Sequence, residues 1–206
     1  MRRAGSILRP RIRSICWRVS AATSEPAARL AAAYWGLELG PDCVFFGRPR
    51  FYRAEDSRIT IGEGCQFRSG RGSNYAGLNR PCMLSTLRQG AVLEIGNRSG
   101  FSGAVIAAAL HVKIGNDVLF GANVTVSDTD WHTPDPSHRL DPGPTAPVVI
   151  EDNVWLGLNV LVLKGVTIGC NSVVGAGSVV TKSIPPNVIA AGNPAAVIRS
   201  LPRGTA

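Results

Sequence analysis

Six aliphatic residues stand six apart towards the C-terminus: Ile150, Leu156, Val162, Ile168, Val174 and Val180. An α-helix repeats its faces every 3.6 residues and a lone strand every two, so neither accounts for a fixed period of six. A parallel β-helix of hexapeptides does. Each hexad lays down a short strand, turns a corner, and points its first residue at the axis of a triangular prism. Small or β-branched residues hold the fifth position: Val154, Val160, Val166, Ser172 and Ser178. Glycine follows the aliphatic residue in Leu156-Gly157, Ile168-Gly169 and Val174-Gly175, where the chain passes close to its neighbouring coil.

The repeat reaches back along the chain. Ile114-Gly115, Phe120-Gly121 and Val126 share one register, and Val126 to Ile150 spans four hexads. Ile95-Gly96, Phe101 and Ala107 form an earlier run, one residue out of phase with Ile114, and Ile61-Gly62 with Phe67 forms a ragged first coil. The pattern predicts an all-β fold. A β-helix covers residues 59–184 and extrudes a loop at about 127–147. A partly helical segment, 1–58, precedes it and a tail, 185–206, follows. Stacked coils bury one continuous core, so no separate hydrophobic domain is needed.

Composition fits many tight corners: 23 Gly and 14 Pro in 206 residues, with 17% charged. No apolar run approaches the ~20 residues that span a bilayer. Five cysteines (Cys16, Cys43, Cys65, Cys82, Cys170) are scattered, without CxxC or metal spacing. Cys65 falls on a small inward fifth position, which makes it a packing residue. The expected compartment is a reducing cytoplasm, and no metal and no nucleic-acid partner are expected.

The net charge of +8 is concentrated at the start of the chain. Residues 1–20 hold Arg2, Arg3, Arg9, Arg11, Arg13 and Arg18 and no acid. Leu8, Ile12, Ile15 and Val19 form an apolar helical stripe among them. Such a helix either lies on an anionic membrane at the inner face or packs on the end of the prism with its arginines solvated. An organelle transit peptide shares the composition. A second helix is predicted from Pro26 to Trp35, with Ser24 as N-cap and Gly36 as the stop.

Chemistry is expected where the repeat breaks. Between Val126 and Ile150 the chain leaves the prism through Asp128-Thr129-Asp130-Trp131-His132, and five prolines (134, 136, 142, 144, 147) stiffen the excursion. A stiff loop on a rigid solenoid is a usual seat of function. The imidazole of His132 suits proton abstraction from an alcohol near neutral pH, with Asp128 or Asp130 to hold its other nitrogen. A solvated loop histidine is the competing reading. His138 has a weaker case, and His111 falls within a coil, where packing is its expected role.

These hexads, the loop histidine and the runs Val154-Trp155-Leu156-Gly157, Lys164-Gly165-Val166-Thr167-Ile168-Gly169, Val174-Gly175-Ala176-Gly177-Ser178-Val179-Val180-Thr181-Lys182 and Ala191-Gly192-Asn193-Pro194 resemble the hexapeptide-repeat O-acetyltransferases. The galactoside, maltose and colanic-acid branch is the nearest in pattern, over about residues 90 to 200. The resemblance implies a homotrimer of left-handed β-helices with acetyl-CoA along the seams between subunits. It implies His132 as general base for direct transfer to a sugar hydroxyl of a polysaccharide or glycolipid precursor. It also implies coenzyme contacts at Gly157, Ala176, Thr181, Lys182 and Arg199, with Trp155 at the thioester end and the C-terminal tail completing the site.

The chain departs from that branch in places. Leu158 stands for a serine and Ala195-Ala196 for a pair carrying a cation. An Asn and an Asp that touch the acceptor in that branch correspond by register to Phe101 and Ala109, which leaves Ser102 and Asp128 as replacements. Three other readings remain open. A γ-class carbonic anhydrase would need His111, His132 and His138 to converge on a metal. A serine acetyltransferase would need a large N-terminal domain that 58 residues do not supply. A non-catalytic assembly protein would leave the coenzyme motif without a use.

Overall fold

A computed structural model describes residues 23–202 of the chain; the arginine-rich stretch 1–20 lies outside them. The strands fall into three sheets, the faces of a left-handed parallel β-helix. The first face stacks Glu38–Leu39, Arg58–Ile61, Val92–Ile95, His111–Ile114, Val148–Ile150 and Thr167–Ile168. The second runs from Val44–Phe46 through Gln66–Arg68, Gly100–Ser102, Leu119–Ala122, Trp155–Leu156 and Val173–Val174 to Val188–Gly192. It closes with Ala195–Ser200, which pairs antiparallel to the strand before it. The third stacks Arg50–Arg53, Met83–Thr86, Val105–Ala108, Thr125–Ser127, Leu161–Val162 and Val179–Val180.

Each face turns alternate residues inward, a larger one and the one two places before it, as in Leu93 and Ile95 or Val112 and Ile114, and these align in columns. Ile61, Ile95, Ile114, Ile150 and Ile168 are paired in sequence on the first face. The second face carries Phe45, Phe67, Phe101 and Phe120, whose ring centroids lie 5.2, 5.0 and 4.7 Å apart. Smaller residues, Leu156, Val174 and Ala190, continue that column towards the C-terminus. Aromatic stacking adds to the area buried, and the core is continuous from one end to the other.

The corners explain the composition. At the first–second corner Asp42, Gly64, Arg98, Asp117, Asn153, Asn171 and Asn187 all have positive φ, between 55° and 66°. Gly, Asn and Asp reach that region most readily, and the chain supplies one of them at every one of these turns except Arg98. Side-chain amides then link successive coils: Asn153 Nδ2 donates to Asn171 Oδ1 at 2.9 Å, and Asn171 Nδ2 to Asn187 Oδ1 at 3.0 Å.

The structure departs from the sequence expectation at three points. The first coil begins at Glu38, not at residue 59, because Leu39, Phe45 and Phe51 already stand in hexad register with Ile61, Phe67 and Leu84. The inward residue on the third face of the next coil but one is Ile106, not Ala107: Ile106 pairs with Val126, and Ala107 with Ser127. The raggedness of the early repeat has a structural cause. A second excursion, residues 69–82, leaves at the second–third corner between Gln66–Arg68 and Met83–Thr86.

The helix covers 23–34, two turns of which press Ala28 and Ala32 into the core. Gly36 ends it at φ 64°, with Gly36 N–H donating to Ala33 O and Leu37 N–H to Ala32 O. Ser24 lies within the helix, and its hydroxyl donates to Phe45 O at 3.0 Å, tying the helix to the first coil. Cys65 is fully buried in its inward position; its hydrogen bond with Cys43, together with burial, pushes its thiol well above the ordinary range.

Candidate functional site

The loop after Ser127 is a narrow hairpin. Thr129 bridges Thr145 and His132 bridges Pro142. Gly143 lies against the backbone of His132: a β-carbon at 143 would sit 2.5 Å from His132 O and 2.9 Å from its N. Only glycine permits that approach. Arg88 Nη2, from the preceding coils, donates to Gly143 O at 2.9 Å. On the C-terminal side, Lys164 Nζ pairs with Asp130 Oδ2 at 2.7 Å, and Gly165 N–H donates to Ala146 O. The root of the loop is therefore held from both directions along the prism.

This arrangement leaves the His132 imidazole in solvent, with no hydrogen-bond or ion-pair partner among the described residues. Its main-chain N–H donates to Asp130 O at 2.7 Å. The residue before it, Trp131, has φ 65° and is 54% exposed, a backbone conformation that bulky side chains rarely hold.

Neither carboxylate expected to orient the base does so. Asp128 is fully buried. Its Oδ1 accepts from Ala109 N–H at 2.6 Å, and its Oδ2 from Leu110 and His111 N–H at 2.7 and 2.8 Å. It staples the turn of the adjacent coil. Asp130 turns to Lys164. Sequence proximity to a histidine carries no direction, and both acids point away from it.

The other histidines are separate. His111, on the outside of the first face, lies 3.4 Å from Glu94 Oε2. His138 is the last residue of the short turn Pro136–His138, which Asp135 caps, and contacts Asp135 Oδ2 at 3.2 Å. The Ser137 N–H and His138 hold the Asp135 carboxyl below the usual range. Among the described residues no group of three or more His, Cys, Asp or Glu side chains could hold a metal ion.

The residues matched to the coenzyme lie towards the C-terminal coils. Trp155 is half-exposed on the second face, above Val173. Gly157 and Ala176 are stacked at the second–third corner, where a β-carbon on Gly157 would approach Ala176 N to 2.6 Å. A β-carbon on Gly177 would meet nothing within 4 Å, so this corner presents bare backbone to solvent. Thr181 and Lys182 are exposed at the third–first corner, and Arg199 is exposed on the final strand. Neither cation is in an ion pair among the described residues. The N–H groups of Gly157 and Gly177 donate to Val174 O and Leu158 O, so the corner contributes small size and the two cations contribute charge.

The acceptor positions of the galactoside branch are unavailable. Phe101 is inside the aromatic column at 1% exposure, and Ser102 accepts a hydrogen bond from Asn74 Nδ2 at 2.9 Å. Sequence reasoning missed the 69–82 excursion. Its Arg80 guanidinium binds Gly103 O, Asn123 O and Thr125 Oγ1 across two coils. The Pro142-Gly143-Pro144 run was the available signal for the close approach at His132.

Fold and loop together define a hexapeptide-repeat β-helix with a histidine-bearing excursion. Residues 111–127 and 147–182, the coils on either side of that excursion, match the model described as the hexapeptide repeat of succinyl-transferase. The chain is similar to galactoside O-acetyltransferases: 49% identical over 90 residues to that of Escherichia coli (strain K12), covering 44% of each chain. That of Lactococcus lactis subsp. lactis is 53% identical over 91 residues, again 44% of each. The chain thus spans less than half the length of these curated relatives. A hexapeptide-repeat-containing acetyltransferase of Vibrio cholerae, in complex with acetyl coenzyme A, is 28% identical; the match covers 85% of this chain and 76% of that one with a TM-score of 0.52.

Proposed function

We propose that the protein is an acetyl-CoA-dependent O-acetyltransferase that modifies a sugar hydroxyl, with His132 as general base. The observation that carries this reading is the solvent-facing, unpartnered imidazole of His132 on a hairpin braced from both sides. A hydroxyl is scarcely ionised near neutral pH, so a base that removes its proton during attack lowers the barrier. Such catalysis typically contributes ~100- to 10,000-fold. The acceptor oxygen forms its bond to the acetyl carbon as the thioester C–S bond breaks. The proton passes from the hydroxyl to the imidazole and then to the departing thiolate of coenzyme A.

Coenzyme binding falls to the bare corner at Gly157, Ala176 and Gly177, to Thr181, and to the cations Lys182 and Arg199. Trp155 lines the thioester end. The base loop shares the third–first corner with Thr181 and Lys182, whereas Gly157, Ala176 and Gly177 stand at the second–third corner; a cradle divided between two corners supports a site shared between copies of a homotrimer. The galactoside O-acetyltransferases among the relatives support a sugar hydroxyl as acceptor; a polysaccharide or glycolipid precursor is the finer form of this proposal.

The test is the His132→Ala variant. Turnover should fall about 100-fold or more, with acetyl-CoA affinity unchanged by direct titration. Near-normal turnover would remove His132 from the mechanism.

A further inference from the structure

Two lysines occupy the same place in successive coils of the third–first corner. Leu161 pairs with Val179 and Val162 with Val180, so Lys164 and Lys182 stand one after the other along the prism. The loop that carries His132 leaves the same corner one coil earlier, since Thr125 pairs with Leu161 and Val126 with Val162. Equivalent placement is not equivalent use. Lys182 is exposed and has no ion-pair partner among the described residues. Lys164 reaches back to the loop, where its Nζ lies 2.7 Å from Asp130 Oδ2, the two side chains being 30% and 41% exposed.

Asp130 is held at three points. Lys164 takes its carboxylate. Its N–H donates to Pro144 O at 3.1 Å on the returning limb, and its carbonyl accepts the His132 N–H at 2.7 Å. The last of these bonds is made by the main chain of the base itself, so a displacement of Asp130 carries His132 with it. The residue after Lys164 grips the other limb. Gly165 N–H donates to Ala146 O at 3.0 Å, from a turn at φ 75° that glycine makes without strain. Ala146 N–H donates in turn to Asp128 O at 3.0 Å. One dipeptide of the next coil therefore clamps both limbs of the hairpin, and the ion pair is its side-chain half.

We propose that Lys164 is a positioning residue: by fixing the Asp130 carboxylate it sets where the His132 imidazole stands, and it takes no part in holding the coenzyme although it occupies the place that Lys182 has one coil on. The inference rests on the acetyl-transfer reading above. Magnitudes favour position over stability. A partly exposed ion pair adds little to the folding free energy, whereas a catalytic group misplaced by about 1 Å can cost about 100-fold in rate. The other bonds of Asp130 lie within the excursion and move with it. Lys164 belongs to the rigid stack and gives the loop a fixed reference.

The variants, made in the full chain, are Lys164→Met, which keeps the reach of the side chain and removes its charge, Lys164→Arg and Asp130→Asn. Two quantities are read: amide hydrogen exchange over residues 127–147, and kinetics with acetyl-CoA and methyl β-galactopyranoside as the probe acceptor. Lys164→Met should speed exchange at the Asp130 and His132 amides about tenfold or more. It should lower kcat about tenfold or more, with acetyl-CoA KM and Tm unchanged. Lys164→Arg should keep both quantities near the wild type. The double variant Lys164→Met, Asp130→Asn should be no slower than either single one, as for two partners in one contact. A raised acetyl-CoA KM with kcat intact would make Lys164 a coenzyme cation and overturn the proposal. So would unaltered exchange and kcat in Lys164→Met. If the wild type leaves the glycoside unacetylated while Lys164→Met still loosens the loop, the acetyl-transfer reading falls and the brace stands.

Discussion

Three main-chain N–H groups of one coil converge on the carboxylate of Asp128 in the next. Removing it leaves those donors without partners in a buried turn, at ~1–3 kcal/mol for each that water cannot reach. Asp128→Ala should therefore lower the unfolding free energy by about 3 kcal/mol or more in urea titration. A variant as stable as the wild type would show the staple to be dispensable. Gly143 works at the same scale on the base. A β-carbon there meets the His132 backbone, and the hairpin must open to admit it. For Gly143→Ala we expect kcat to fall about tenfold or more while acetyl-CoA KM holds. Unchanged kcat would mean that the imidazole tolerates the shift.

Among elements, the C-terminal coils and final strand bring Lys182 and Arg199 to the surface without carboxylate partners. The double variant Lys182→Ala, Arg199→Ala should raise acetyl-CoA KM severalfold and flatten its dependence on salt, since screening acts on exposed charge. Equal affinity in the double variant would place the phosphates elsewhere. The coils themselves were legible as hexads because the first position of each hexad is aliphatic or aromatic and the period admits one architecture. Leu39, Phe45 and Phe51 obeyed the same spacing. They were overlooked because the 69–82 excursion sets the paired Ile61 and Ile95 34 positions apart and hides the continuity. In the site, the loop and its histidine were readable from the broken period. The partners of Asp128, Asp130 and Gly143 were not, because each is fixed by a residue a full coil or more away: Ala109, Lys164 and Arg88.

For the whole molecule, the base loop shares the third–first corner with Thr181 and Lys182 while Gly157 and Ala176 stand at the second–third corner, so the proposed cradle is divided between corners of one prism. In the homotrimer proposed above, three prisms packed around an axis would set each base loop against a neighbour's second–third corner. Light scattering should give a mass near three times 21.7 kDa. A stable monomer with full activity would contradict a shared site.

A stack of parallel coils has two raw ends, and each is a template on which another strand of the same polarity could lay itself down. At the N-terminal end the helix over 23–34 covers the core. At the other, the second face closes with Ala195–Ser200 running against the direction of every strand before it. A strand of reversed polarity offers an incoming coil the wrong hydrogen-bond pattern. The last named strands of the other two faces, Thr167–Ile168 and Val179–Val180, are two residues long. The same reversal that carries Arg199 back along the second face therefore also stops the solenoid from growing head-to-tail into a fibre.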